Sequence, residues 1–172
     1  LSKSSGPGWM PYDWNATMMI AAVAVVGRPS VRSGTRTPDA AALFDAAVRD
    51  GWAVDGAPGF VYTVGWDGVP VVRERMHWVA AEAICAASAL HAATGDARIA
   101  APYQAWWDYV ADHVIDREHG SWRHELDAQT APSATVWAGK ADLYHAVQAT
   151  LVPRLPLAPS LAAALAAGQL DA

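Results

Sequence analysis

Hydrophobic and polar positions divide the chain into short helices and loops. In TPDAAALFDAAVRDG, Leu43, Phe44, Ala47 and Val48 recur at helical spacing. Thr37 is a candidate N-cap, Pro38 suits the first helical position, Asp39 lies in the first turn, and Gly51 ends the run. The period then changes. Phe60, Tyr62 and Val64 alternate, Asp67-Gly68 supplies a turn, and Val69, Val71 and Val72 follow, which predicts a short β-hairpin around residues 60–72. HWVAAEAICAASALHAATGD predicts a helix closed by Gly95, apolar nearly all round and so buried on most faces. ARIAAPYQAWWDYVADHVIDREHG predicts an amphipathic helix that turns Tyr103, Trp106, Trp107, Val110 and Val114 to the core. GSWRHELD reads as a short strand or loop and AQTAPSATVWAG as a long connection. KADLYHAVQATLVPRL reads as a helix ended near Pro153, and APSLAAALAAGQL as a final short helix.

Helix pairs alternating with loops that bear short strands predict an all-α fold of antiparallel helix pairs. In such a toroid the long loops carry the site on one face. Residues 1–37 have a different texture: LSKSSGPG, then an apolar stretch without a clear period, then the basic, turn-like RPSVRSGTRTP. An irregular N-terminal segment over 1–37 is expected, followed by an ordered domain over 38–172.

Composition narrows the function. With 53% hydrophobic and 17% charged residues, the 172-residue chain can bury one sizeable core and is not a disordered sequence. The net charge is −5 and the Lys and Arg residues are scattered, which argues against a nucleic-acid partner. The apolar run from Ala16 to Val26 is about half the length that a bilayer requires, so no membrane partner is expected. Cys85 is the single cysteine; it excludes an intramolecular disulfide, and a reducing, cytoplasmic setting fits. Nine Trp stand against two Phe. Indole rings suit the apolar face of a sugar, and they equally suit the packing of a helical core.

The chemistry concentrates in two places. Glu82 is the one charged side chain between Arg75 and Asp96. Buried in an apolar helix, it requires either an ion pair with Arg73 or Arg75 or a polar cavity. Trp78 lies one turn before it, giving a stacking surface beside a hydrogen-bond acceptor, and His77 opens the helix as a ligand contact or a cap. The second place is WAGKADLYHAVQAT. There His145 is a candidate proton-transfer base, Asp142 could orient its ring or cap the helix, and Gln148 lies one turn on. The alternative is a core histidine satisfied by a backbone carbonyl. His91, His113, His119 and His124 are weaker candidates. No H-E-x-x-H, C-x-x-C, G-x-S-x-G or Gly-rich phosphate loop occurs, so neither a metal nor a cofactor is expected.

RMHWVAAEA, GSWRHELD and TVWAGKADLYHAVQATL, in this order, resemble the N-acylglucosamine 2-epimerase superfamily, and within it the aldose–ketose isomerases of the mannose and sulfoquinovose type. The resemblance runs from about residue 38 onward and implies part of an (α/α)6 barrel. It implies that His145 is the family's C-terminal catalytic His, and that Trp78 and Glu82 are those of its W-x-x-x-E helix. His77, Trp137, Asp142 and Gln148 join them as substrate contacts. It implies a monosaccharide substrate and cofactor-free isomerisation through a cis-enediolate, by proton transfer between C2 and C1. The family's second catalytic His, in a G-H-x-x-E-W motif, has no counterpart: the nearest match is PGWMPYDWNATMM, and no His precedes His77. The expectation is therefore a C-terminal portion of such an enzyme, as truncation or a shifted reading frame would leave, inactive alone and self-associating through exposed apolar helix faces. Four readings stand against one another. They are an isomerase of mannose-type sugars, or a 2-epimerase acting on N-acylglucosamine or a disaccharide; a silent carbohydrate-binding fragment; a helical interaction domain whose Trp residues are only core; and a glycosidase, which needs two facing carboxylates.

Overall fold

The computed structural model describes residues 36–168. Its elements are α1 (Arg36–Gly51), β1 (Thr63–Val64), β2 (Pro70–Val72), β3 (Arg75–Met76) and α2 (His77–Thr94). A short 3₁₀ turn (Ala97–Ile99) leads into α3 (Ala100–Tyr109), which widens into a π-turn (Val110–Val114). β4 (Glu125–Leu126), β5 (Pro132–Ser133), α4 (Leu143–Leu151), a 3₁₀ turn (Val152–Arg154) and α5 (Leu161–Ala167) complete it. The irregular segment expected over 1–37 lies outside the described residues, except that Arg36 and Thr37 are already helical. Thr37 thus stands inside the first turn of α1 rather than at its cap. Pro38 is tolerated there because the N–H groups of a first turn have no intrahelical partner.

The centre of the fold is α2. Its alanines, with Val79, Ile84 and Leu90, are buried, as its unbroken apolar sequence requires. Small side chains let α1, α3 and α4 approach it from several sides, and α4 and α3 make its most extensive contacts. Gly95 ends it in the left-handed conformation (φ 69°), donating its N–H to the His91 carbonyl. Beneath it Phe44, Trp52, Phe60, Trp106 and Tyr109 form a linked aromatic cluster with ring centroids 5.0–5.9 Å apart, mostly edge-on or tilted. Several of the tryptophans are therefore packing residues, as the bland alternative held.

The hairpin forms as expected but is shorter. β1 pairs antiparallel with β2, and Gly68 turns at φ 76°. Phe60 instead bridges to Trp52. Trp66, Val69 and Val71 at its outer end are exposed. A second sheet, of order β3-β4-β5, was not expected. Its two-residue strands are too short to carry an alternating signal. It matters because it ties the start of α2 to the loop before α4.

Arg75 and Asp55 anchor this arrangement. Their side chains are 1% and 2% exposed and meet at 2.5 Å, and Arg75 also donates to the Pro58 and Ala57 carbonyls. Desolvation raises the Asp55 pKa, but Arg75 and Arg73 outweigh it and hold the carboxyl below its usual range. Gly59 is required beside the pair. Its φ is 104°, and a Cβ would lie 2.7 Å from both the Arg75 Cγ and the Tyr109 hydroxyl.

Asp55→Ala leaves the Arg75 guanidinium buried without its counter-charge and is expected to cost about 3–5 kcal/mol. Urea unfolding checks this, with the solvent-facing Val71→Thr expected to change stability by no more than about 0.5 kcal/mol.

Candidate functional site

The site forms where the N-termini of α2 and α4 meet. Asp142 is extended (φ −66°, ψ 155°) and caps α4 by accepting the His145 backbone N–H at 3.1 Å. That cap fixes the side chain beside its own helix. The His145 Nδ1 lies 3.1 Å from each Asp142 carboxylate oxygen. From the other side, the His77 Nε2 lies 3.2 Å from Asp142 Oδ2. Of the two expected roles of Asp142, capping and ring orientation, the geometry fits both. Desolvation raises its pKa, but the His145 N–H and ring, with the charges of His145 and His77, bring it down to about 2. Asp142 is therefore a carboxylate over the whole neutral range.

Glu82 lies one turn into α2 and is 5% exposed. Its expected ion-pair partners are committed elsewhere, since Arg73 and Arg75 both bind Asp55. Instead Glu82 Oε1 accepts from the Gln148 side chain at 3.2 Å and stands 3.8 Å from the His145 Nε2. Burial pushes its pKa up, opposed by His145 and Gln148. Trp78 is half-buried, with its ring 6.0 Å from His145 and edge-on to Tyr62. Trp78 and Glu82 thus converge on His145, which disfavours the interaction-domain reading. Glu82 and Asp142 do not present the facing, free carboxyl pair of a glycosidase, because Asp142 is bound to both rings.

Two candidates sit differently from expectation. His77 is 1% exposed and faces Asp142, with its Nδ1 3.3 Å from the His124 carbonyl, so it lies buried behind Asp142 rather than open to a ligand. Trp137 is half-exposed and stacks on His124 at 6.0 Å, reaching the cluster through that ring. His124 packs on His77 at 5.1 Å, and its buried Nδ1 has no hydrogen-bond partner among the described residues. Trp122 turns away to pack on Trp107. The other histidines are accounted for: His91 faces the Asp96 carbonyl, His113 packs on Tyr109 and His119 pairs with Asp116.

Sequence reasoning missed Glu125. It is 1% exposed and accepts from the Ser133 hydroxyl and from the backbone N–H groups of Thr135, Val136 and Trp137 at 2.7–2.9 Å. One carboxylate thus shapes the loop that carries Trp137. Its partners are main-chain groups, so no residue pattern announces it. Lys140 performs a similar task nearby by binding Asp116 and the Gly120 carbonyl, while Gly139 turns at φ 91° before it.

His77, Asp142 and His145 each offer an atom within 4.8 Å of the others, a set that a divalent cation could use. Those atoms already satisfy one another and the α4 cap. A cation there would have to displace these bonds.

The helical scaffold thus gathers two histidines, two carboxylates and an indole ring at helix N-termini. The family model for N-acylglucosamine 2-epimerase (GlcNAc 2-epimerase) matches residues 12–149, and the chain belongs to this family. The match begins inside the segment that its texture set apart. A D-mannose isomerase of Thermobifida fusca is 58% identical over 129 residues, covering 74% of this chain and 32% of the relative. One from Pseudomonas cannabina pv. alisalensis is 53% identical over 140 residues, 78% of this chain and 34% of the relative. A solved D-mannose isomerase superposes with a TM-score of 0.70 at 26% identity, over 87% of this chain and 38% of the other. Cellobiose 2-epimerase from Spirochaeta thermophila shares the fold with a TM-score of 0.65 at 18% identity, over 80% of this chain and 36% of the other. These neighbours are (α/α)6 barrels, so the described elements are part of such a barrel. The chain spans about a third of the length of the relatives that it matches.

Glu82 has a raised pKa in the fold, so its contribution to stability is complete at pH below its unfolded value. It is lost as pH rises through the folded value. Glu82→Gln cannot ionise, and its stability relative to the parent chain is expected to improve with pH from 4 to 8. Urea midpoints across that range check the sign.

Proposed function

We propose that this chain supplies the base-bearing part of a sugar isomerase acting on mannose-type monosaccharides, with His145 as the proton-transfer residue. One observation carries the reading. The His145 Nδ1 is engaged by an ionised Asp142, while its Nε2 stands beyond hydrogen-bond distance of Glu82, next to Gln148 and Trp78. A neutral imidazole so held keeps its lone pair on Nε2, facing the place where a sugar would lie.

The chemistry follows from that lone pair. In an open-chain aldose, Nε2 takes the proton from C2. The C–H electrons form the C1–C2 double bond, and the aldehyde π pair moves to O1, giving a cis-enediolate. The O2 proton then passes to O1, and return of the first proton to C1 as C2–O2 becomes the carbonyl gives the ketose. The Gln148 amide is placed to donate to the enediolate oxygens, and Glu82 to accept from a sugar hydroxyl. Trp78 and Trp137 supply flat apolar faces for the carbon chain. The names of the D-mannose isomerase relatives support this substrate class. Return of the proton to the other face of C2 would make the same site a 2-epimerase on N-acylglucosamine or a disaccharide, and the cellobiose 2-epimerase fold neighbour keeps that reading in view.

The proposal places the protein in the cytoplasm, where the lone, buried Cys85 stays reduced. Among the described residues no helix is long and apolar enough to cross a membrane. Leu143, Tyr144 and Val147 leave an exposed apolar stretch on α4. We propose that it drives self-association of the isolated chain; a single sharp monomer in sedimentation velocity would contradict this.

Incubation of D-mannose, D-fructose and D-glucose with the chain in D₂O, followed by proton NMR, tests the function. Because one base can both take and return the proton, deuterium is expected at C1 or C2 even without the second histidine, and His145→Ala is expected to lower the exchange rate at least about 100-fold, the usual contribution of a positioned base. No exchange with any of these sugars by the folded chain would leave the silent carbohydrate-binding reading.

A further inference from the structure

The Asp142 carboxylate that meets the His145 ring is itself met by one buried residue of α2. Asp142 is half-exposed, and its cap bond to the His145 N–H holds it from its own helix only. The second restraint is His77, which is 1% exposed and sits at the first position of α2. The His77 backbone N–H donates to the His124 carbonyl at 3.2 Å, tying the residue to the start of β4. Its ring is wedged between His124 and His145, with centroids 5.1 and 5.9 Å away. Its Nε2 meets Asp142 Oδ2 at 3.2 Å, and its Nδ1 faces the same His124 carbonyl at 3.3 Å.

Both neighbours of the His77 ring are acceptors. A neutral ring has one proton for the two of them. The carboxylate is the stronger acceptor and the shorter contact, so the proton belongs on Nε2. Asp142 then accepts from His77 on one side and from the backbone and ring of His145 on the other. An ionised carboxylate cannot donate, so the His145 Nδ1 carries the proton of that contact, and a neutral ring then has its lone pair on Nε2.

We infer that His77 is a positioning residue: through Asp142 it sets the Nδ1–H tautomer of His145 and so leaves the Nε2 lone pair on the side of Glu82 and Trp78. This rests on the reading of His145 as the base, and it deepens that reading by naming the residue that prepares it. It also accounts for a fully buried histidine at a helix N-terminus, where a cation is disfavoured by the helix dipole.

Free histidine in water favours the Nε2–H form, so the tautomer reports the relay directly. Long-range ¹H–¹⁵N correlation of the ¹⁵N-labelled chain at neutral pH is expected to show His145 as Nδ1–H, in excess by about tenfold, the discrimination a charge-assisted hydrogen bond supplies. His77→Phe keeps the ring's bulk and loses the donor; it is expected to shift His145 toward Nε2–H. His77→Gln keeps a donor near the place of Nε2 and is expected to retain Nδ1–H. A parent chain with His145 mainly Nε2–H overturns the inference, as does Nδ1–H persisting in folded His77→Phe. If His77→Phe does not fold by circular dichroism, His77→Gln decides: Nδ1–H supports the relay and Nε2–H overturns it. Sugar exchange by the same parent sample separates the two claims. Nδ1–H without exchange sustains the relay and defeats the isomerase reading; exchange with Nε2–H does the reverse.

Discussion

The Asp142 carboxylate holds the site together. It caps α4, fixes the His145 ring and meets the buried His77 of α2, so one side chain joins two helices that are 65 residues apart in sequence at this contact. Its geometry leaves little freedom. A cap must lie beside the first turn of its helix, and a residue three positions on must lie over it. Once α4 starts at Leu143, His145 has to face Asp142, and its far nitrogen has to face α2. The site is thus a consequence of where one helix begins and which helix it meets.

A second layer supports the first. Glu125 gathers three successive backbone N–H groups and a hydroxyl, which shapes the connection between β4 and α4. Lys140 binds Asp116 just ahead of the cap, and the backbone and side-chain bonds of Asp116 hold its carboxyl well below the usual range. Arg75, one residue before β3 ends, is locked onto Asp55. Each of these is a buried or half-buried charge with its partner supplied, the condition under which such groups specify a conformation instead of disrupting one. The small sheet β3-β4-β5 carries them to the point where the two helices meet.

Much of this could be read from the residues. The unbroken apolar run and Gly95 define α2, while Asp142 three residues before His145 and Gln148 three after it lie at spacings that only a helix brings onto one face. Trp78 and Glu82, one turn apart, were legible for the same reason. The rest depends on contacts distant in sequence. The partner of Glu82 was legible only as a choice between an arginine and a cavity, and it took the fold to show both arginines committed to Asp55, twenty and eighteen residues away. Glu125 binds main-chain groups, which look alike in every sequence. The strands of the second sheet have two residues each, below the length at which alternation exists. His77 read as a contact because it opens the helix; its burial follows from His124 and Asp142 closing over it.

The most direct test of the proposed sugar site and of how His145 faces it is a crystal structure of the chain with D-mannitol, an acyclic polyol of the open-chain sugar's length. The account predicts the polyol between Trp78 and Glu82, with a carbon-bound hydroxyl of the C1–C2 end at His145 Nε2 and with Nδ1 still on Asp142. A polyol bound elsewhere, or a His145 ring turned so that Nε2 meets Asp142, would contradict it.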